Sequence, residues 1–268
     1  MHVGPGRDFP FKRQLIAGLR ATGLLPLAEG AYGVREVLRW RAANIAYARE
    51  HPDTVFPPAR LIQRTYGTPS YQSFREWGRQ NAEEIGAVID QLDTPSRPQV
   101  LEWGCGLGRL AVHLERRFAY TGVDIDPGAI RWCAEHLEGR YTLNRRSPPL
   151  PFAEDSWDVV FAVSIFTHLS EAAHLAWRDD VFRVLKPGGY FVFTVHGEAQ
   201  STDLSSAERT RFARGELVVR GGVAVGSRTY LAYHPPAYVT GQLLAGFELV
   251  RGPEAACSQT LYVARKPV

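Results

Sequence analysis

A short apolar run, Gln99 to Trp103, ends on a turn in which every second residue is glycine: Gly104-Cys105-Gly106-Leu107-Gly108. Glycine at this spacing lets the backbone enter the positive-φ region and lets a ligand approach the main chain closely. The stretches that follow restrict the fold further. Leu107 to Phe118 reads as a helix and Tyr120 to Val123 as a strand. Asp126-Pro127 opens another helix to about Leu137, with Asp as N-cap and Pro at the first helical position. Ser156 to Ser164 is a third strand, Ala172 to Leu185 a helix, and Pro187-Gly188-Gly189 turns into the strand Tyr190 to Val195. Strands alternating with helices predict an α/β fold, a doubly wound and mostly parallel sheet with helices on both faces. Phe247 to Arg251 and Thr260 to Ala264 close the chain as two more strands.

The first 95 residues have a different character. Tyr32 to Glu50 has helical apolar spacing and ends at His51-Pro52-Asp53. Residues 53–72 read as a loop with short turns, a second helix runs from Phe74 to Leu92, and Asp93 to Pro98 is a linker. The expected organisation is a helical extension or lid over 1–95 and a sheet domain over 96–268, with an insertion at about 198–236. Within that insertion, Leu217–Val219 and Val223–Val225 flank Arg220-Gly221-Gly222 as a predicted hairpin. Pro235 and Pro236 open a helix to about Ala245.

Composition excludes several classes. The 268 residues carry 31 Lys+Arg and 28 Asp+Glu, a net +3 too weak and too dispersed for a nucleic-acid footprint. Three widely spaced cysteines, Cys105, Cys133 and Cys257, support neither a disulfide framework nor a structural metal site. The amino terminus has no apolar leader core and no run approaches 18 apolar residues, so a cytoplasmic protein without a membrane span is expected.

The glycine turn gains meaning from two carboxylates. Asp124 stands twenty residues after Gly104, at the end of the next strand, where a carboxylate can take two hydrogen bonds from a ribose diol. Glu102 precedes the first glycine by two residues. An acid there sits poorly beside a pyrophosphate but suits a ligand with an amino group, and the third glycine comes one residue earlier than in the dinucleotide fingerprint. S-adenosylmethionine has an amino group, a sulfonium and no phosphate, so it is favoured over NAD.

Val100 to Arg109 resembles motif I of the class I S-adenosylmethionine-dependent methyltransferases. Leu150-Pro151-Phe152 with Asp155 to Val160, and Arg183 to Gly189 with its LKPGG turn, resemble that family's approaches to its fourth and fifth strands. The motifs stand in the family's order over about residues 97–197. The resemblance implies a Rossmann-like sheet with an antiparallel last strand. It implies that Glu102 holds the methionine amino end and that Gly104, Cys105, Gly106 and Arg109 line the cofactor. Asp124 would take the ribose, Ile125 would lie beside the adenine, Ser147 would receive the adenine amino group, and Val163 and Ser164 would face the methionine moiety. Relatives often carry an acid before the LPF segment, and this chain has Asn144-Arg145-Arg146-Ser147 instead. An aromatic cluster, Tyr66, Tyr71, Phe74 and Trp77, would close over the cofactor, with Gly78 permitting close approach.

Methyl transfer to a hydroxyl needs the nucleophile aligned and deprotonated. His168, after the fourth strand, and His196, after the fifth, are the candidate bases, with His234 a weaker one. His113, His136 and His174 fall on helices, as surface or packing residues. No spacing demands a metal. The expected reaction is O-methylation of a small-molecule or glycan hydroxyl, giving S-adenosylhomocysteine, by a monomer or homodimer. The alternatives are N-methylation of a small amine, a non-catalytic cofactor-binding subunit, and a nicotinamide oxidoreductase.

Overall fold

The computed structural model describes residue 16 and residues 18–268; the segment read above for a leader, residues 1–15, lies outside the described residues. Three helices lead in: α1 (Leu25–Glu50), α2 (Ala59–Tyr66) and α3 (Tyr71–Asp90). The sheet domain follows as β1 (Gln99–Trp103), α4 (Ala111–Leu114), β2 (Ala119–Asp124), α5 (Pro127–His136), β3 (Arg140–Leu143), β4 (Trp157–Ala162), α6 (Glu171–Val184) and β5 (Leu185–Val195). Then come α7 (Ser206–Ala213), β6 (Val218–Arg220), β7 (Leu231–Tyr233), β8 (Glu248–Ala256) and β9 (Gln259–Arg265).

Seven strands form one sheet in the order β3-β2-β1-β4-β5-β9-β8. The first five are parallel, and β9 runs antiparallel to both β5 and β8. The direction of winding reverses between β1 and β4. Ligands of such sheets bind outside the carboxyl ends of the strands at that reversal. Gly104, Asp124 and Ser164 all stand at those ends.

The central strands are buried on both faces. Successive residues of a strand point to opposite sides. Val100, Val159 and Val192 pack with Ala82, Ile85 and Ile89 of α3. Leu101, Val160 and Phe191 pack with Trp177 and Val181 of α6. Helix α3 is therefore one of the sheet's covering helices. Ser70 caps it by accepting the Ser73 N–H at 3.1 Å. Trp103 and Trp177 lie in the core, with ring centroids 4.9 Å apart.

Four local expectations change. Residues 53–72 contain a true helix, α2, which ends at Gly67 in the left-handed conformation (φ 78°). The helix read from Leu107 shrinks to Ala111–Leu114, because Gly108 is held at φ 71° and cannot join a right-handed helix. An edge strand not foreseen, β3, pairs with β2. The insertion is not a tight hairpin: β6 pairs with β7 rather than with Val223–Val225, leaving residues 221–230 as a loop. That loop is held by distant side chains, described below, which sequence-local turn rules do not include.

Gly78 on α3 is a contact point with the glycine turn. A Cβ there would meet the Arg109 carbonyl oxygen at 2.4 Å. Alanine normally favours a helix over glycine by about 1 kcal/mol. Gly78→Ala is nevertheless expected to destabilise by about 1–3 kcal/mol through overpacking, seen as a lower Tm by calorimetry. An unchanged or raised Tm would mean that α3 does not press on the turn.

Candidate functional site

The glycine turn is anchored by Asp124. One oxygen of its carboxylate accepts the Gly106 N–H at 2.9 Å and the other accepts the Asp126 N–H at 2.8 Å. The bonds hold Gly104 and Gly106 at φ 84° and 53°, values open to glycine at little cost. Burial raises the Asp124 pKa, opposed by those N–H bonds. A carboxylate offers about four acceptor directions, so two remain for other donors such as a ribose diol.

Glu102 lies beneath the turn at the end of β1 and is 3% exposed. Burial raises its pKa to about 7, against the lowering effect of the Tyr120 hydroxyl, which donates to it, and of Arg109. A cationic ammonium brought beside it would restore the charged form. Cys105 is buried, and its thiol is pushed up by the neighbouring Cys133 thiol and by burial. It lines the turn as a small apolar group and takes no part in proton transfer.

Tyr66, at the end of α2, sits on the turn. Its hydroxyl accepts the Leu107 N–H at 3.1 Å, and the Arg109 guanidinium lies 4.5 Å from its ring centroid. Arg109 therefore faces Tyr66. Arg64, two residues earlier on α2, pairs with Asp126, the N-cap of α5. Tyr71 stacks on Phe56 at 4.6 Å, and its N–H is taken by Asn44 of α1. Of the aromatic cluster, Tyr66 covers the turn, while Trp77 is 48% exposed. Gly78 approaches the protein's own backbone at Arg109.

At the end of β4, Ser164 holds φ 63°. Such strain costs on the order of 1–3 kcal/mol and persists only where neighbours enforce it. Here they do: its N–H donates to Thr194 Oγ1 at 2.9 Å, and its hydroxyl accepts from Gln259 Nε2 at 2.8 Å. The result aims the chain from Val163 onward into the edge of the sheet. Ile165 then fills the space beside Gly104. Thr194 and Gln259 carry no sequence signal of their own; they become visible only once β5 and β9 pair.

His168 follows in a single 3-10 turn, Phe166–His168. Its Nδ1 donates to the Tyr230 carbonyl at 2.8 Å, which leaves Nε2 with the free lone pair. Burial lowers its pKa, opposed by the Tyr230 carbonyl and reinforced by Arg228, so the ring is neutral near pH 7. His196 at the end of β5 is lowered to about 4 by burial and by His168. His234 is fully buried with neither ring nitrogen hydrogen-bonded, its ring centroid 4.9 Å from that of His174. His174 packs as expected, with Nε2 at 2.8 Å from the Phe166 carbonyl and Nδ1 at 3.1 Å from the Tyr238 hydroxyl. No cluster of metal-ligating side chains occurs among the described residues.

Ser147 is exposed, whereas Asn144 is buried beside Asp124, its N–H bonded to the Asp124 carbonyl at 3.0 Å. Its Oδ1 has no hydrogen-bond partner. A buried acceptor left so is costly, by about 1–3 kcal/mol. It matches the amino group of an adenine better than Ser147 does. The sequence signal was present, a polar residue closing a strand, but it required β3 to be recognised.

The extension and the insertion meet above these residues. Arg20 donates to the carbonyls of Gly221 at 2.8 Å and Thr229 at 3.0 Å. Glu29 of α1 accepts from Arg228 at 3.1 Å and from the Thr229 hydroxyl at 3.2 Å. From below, the His168 carbonyl accepts the Gly226 N–H at 2.8 Å. Ile125 lies in van der Waals reach of Gly226. The loop thus spans from Ile125, just after β2, to His168, after β4. A separate depression lined by Asp93, Asp158, Lys186, Gly189 and Arg265 opens at the opposite edge of the strands, remote from all of them.

Comparison with known proteins agrees with this geometry. Residues 100–189 match the family model described as a methyltransferase domain. A fatty-acid O-methyltransferase of Mycolicibacterium smegmatis is 38% identical over 129 residues, 44% of this chain and 44% of that one. A probable phthiotriol/phenolphthiotriol dimycocerosates methyltransferase of Mycobacterium ulcerans is 38% identical over 108 residues, 37% of this chain and 39% of that one. The chain spans less than half the length of these curated relatives. The fold is shared with a crystal structure of a Pyrococcus horikoshii protein at TM-score 0.54 and 19% identity, covering 83% of this chain and 99% of that one. It is also shared with a Methanosarcina mazei SAM-dependent methyltransferase at TM-score 0.52 and 20% identity, covering 68% and 97%.

The raised pKa of Glu102 has a definite sign. The folded state holds this proton more tightly than the unfolded chain, so the stabilisation is complete below the ordinary glutamate pKa of 4.5 and is lost as pH rises through about 7. Glu102→Gln removes this dependence. Its Tm relative to the native protein is expected to rise between pH 5 and about pH 8, by the equivalent of on the order of 3 kcal/mol. A constant difference across that range would place the carboxyl in water.

Proposed function

From the premise that the sheet domain belongs to the class I S-adenosylmethionine-dependent methyltransferases, we propose that this protein transfers a methyl group to an oxygen of a small, lipid-like acceptor. The observation that carries the cofactor is the Asp124–Gly106 link, with Glu102 beneath the turn and the unpartnered Asn144 Oδ1 beside it. These groups fit the ligand end to end. Glu102 would hold the ammonium, Asp124 the ribose hydroxyls and Asn144 the adenine amino group, with Ile125 against the ring. When bound, the cofactor supplies a methyl group already activated on a sulfonium.

What this chain must add is alignment, exclusion of water and removal of a proton. The loop 221–230, held by Arg20, Glu29 and His168, shields the cleft from solvent. His168 has its Nδ1–H committed to Tyr230, so Nε2 is ready to take the proton of an acceptor hydroxyl. Its lowered pKa keeps it unprotonated at neutral pH. His196 stands near it as a second neutral ring able to orient the acceptor. The fatty-acid and phthiotriol relatives favour a lipid-like acceptor over a glycan. A carboxylic acid acceptor would reach the cleft already ionised and would need His168 only for orientation.

Two experiments check this reading. Calorimetric titration with S-adenosylhomocysteine, with NADH run beside it, is expected to give one-to-one binding of the former alone. Asp124→Ala should weaken that binding at least about tenfold, through loss of charge-assisted hydrogen bonds worth roughly 1.5–3 kcal/mol each; unchanged affinity would remove the ribose assignment. Methyl-labelled cofactor offered with fatty acids and long-chain alcohols should give alkali-labile esters or stable ethers respectively. His168→Ala should abolish ether formation while leaving cofactor affinity intact. Undiminished ether formation would exclude it as the base.

A further inference from the structure

Helix α1 has two faces. Leu25, Glu36 and Asn44 are buried against the body, where Asn44 donates to the Pro69 carbonyl at 2.8 Å and Glu29 reaches inward to Arg228. The opposite face carries Leu27, Val34, Leu38 and Ile45, exposed by 74%, 64%, 65% and 43%. At about 100° per residue these four fall within roughly 40° of one another, centred opposite Glu36, along about 27 Å of helix. Single exposed apolar residues are ordinary on a protein surface, but a continuous row marks a contact.

The row is flanked within about 40° by exposed Arg41 and Arg49, while Arg35 and Arg39 lie further round the helix and pair with Glu36. The outward acid on this helix is Glu50, at its last residue, and Glu36 is buried beneath Arg35 and Arg39 at 3.3 and 3.7 Å. This rim decides the occupant. Pairing with a second copy of the helix, in either direction, would set arginines against arginines with almost no acid to answer them. An anionic headgroup layer answers every guanidinium while taking up the apolar row. No described helix is long and apolar enough to cross a membrane, so the contact is with the surface.

We propose that the outer face of α1 docks on the surface of an anionic phospholipid bilayer, with Leu27, Val34, Leu38 and Ile45 entering the headgroup boundary and Arg41 and Arg49 on lipid phosphates. This does not rest on the methyl-transfer reading, because it uses none of the cleft residues. The same helix holds loop 221–230 through Glu29, so docking and the cleft are mechanically adjacent.

The test is co-sedimentation of the full chain with vesicles of mixed phosphatidylglycerol and phosphatidylcholine, and with pure phosphatidylcholine. Binding to the anionic vesicles is expected to be tighter by at least about tenfold and to weaken with salt. Leu38→Asp, and separately the pair Arg41→Glu and Arg49→Glu, should each lower it by at least about tenfold. All three residues are exposed, and S-adenosylhomocysteine affinity and Tm serve as controls for folding. Equal binding to both vesicles, or to neither, overturns the proposal. A solution dimer dispersed by Leu38→Asp, without vesicle binding, assigns the face to a second copy. Vesicle binding that appears only after deletion of residues 1–15 assigns it to the chain's own amino terminus.

Discussion

The carboxylate of Asp124 joins two turns that would otherwise be independent, accepting one N–H from the glycine turn after β1 and another from the start of α5. Everything at the cleft takes its position from that double acceptance. The glycines keep their left-handed geometry because the Gly106 N–H has a fixed partner. Tyr66 can lie flat on the turn because no side chain rises there: a Cβ at Gly106 would come within 2.7 Å of its hydroxyl. Asn144 is drawn beside the same residue by the β2–β3 pairing. A buried carboxylate is costly in isolation, and it is tolerated because donors surround it.

The two additions to the sheet behave as one covering. Arg20 and Glu29 from the amino-terminal side hold loop 221–230 of the insertion, and the His168 carbonyl holds the same loop from below. A histidine with one nitrogen committed to a carbonyl of the covering loop senses whether that loop is in place. The tautomer that leaves Nε2 free is thus set by a residue of the insertion. His196 and His234 differ from it: Nδ1 of His196 and both ring nitrogens of His234 are buried without a hydrogen-bond partner, and burial leaves both rings neutral.

The strand–helix alternation, the two-sided apolar strands and the winding of the sheet were legible because each follows from a local period and a local turn chemistry. Glu102, Asp124 and the glycine turn were legible because the chain must place them at successive strand ends. Asn144 was not singled out beside Ser147 because a four-residue edge strand carries too little alternation to be recognised. The helix after Gly108 was read too long because apolar spacing does not register a left-handed glycine. Tyr66 was noticed as part of an aromatic group, but its hydrogen bond to the turn requires α2 to be a helix ending at Gly67.

By itself the sequence determined the class of fold and the placing of Glu102, the glycine turn and Asp124 at neighbouring strand ends, since these depend on residues close together in the chain or related by one strand–helix unit. Only the tertiary structure decided which histidine keeps a free nitrogen, which polar group lies unanswered beside Asp124, and how the insertion closes over both. Those outcomes depend on contacts between residues up to about two hundred positions apart, such as Arg20 with Gly221 and Glu29 with Arg228. Local periodicity carries no information at that range, because what brings such residues together is the packing of whole elements.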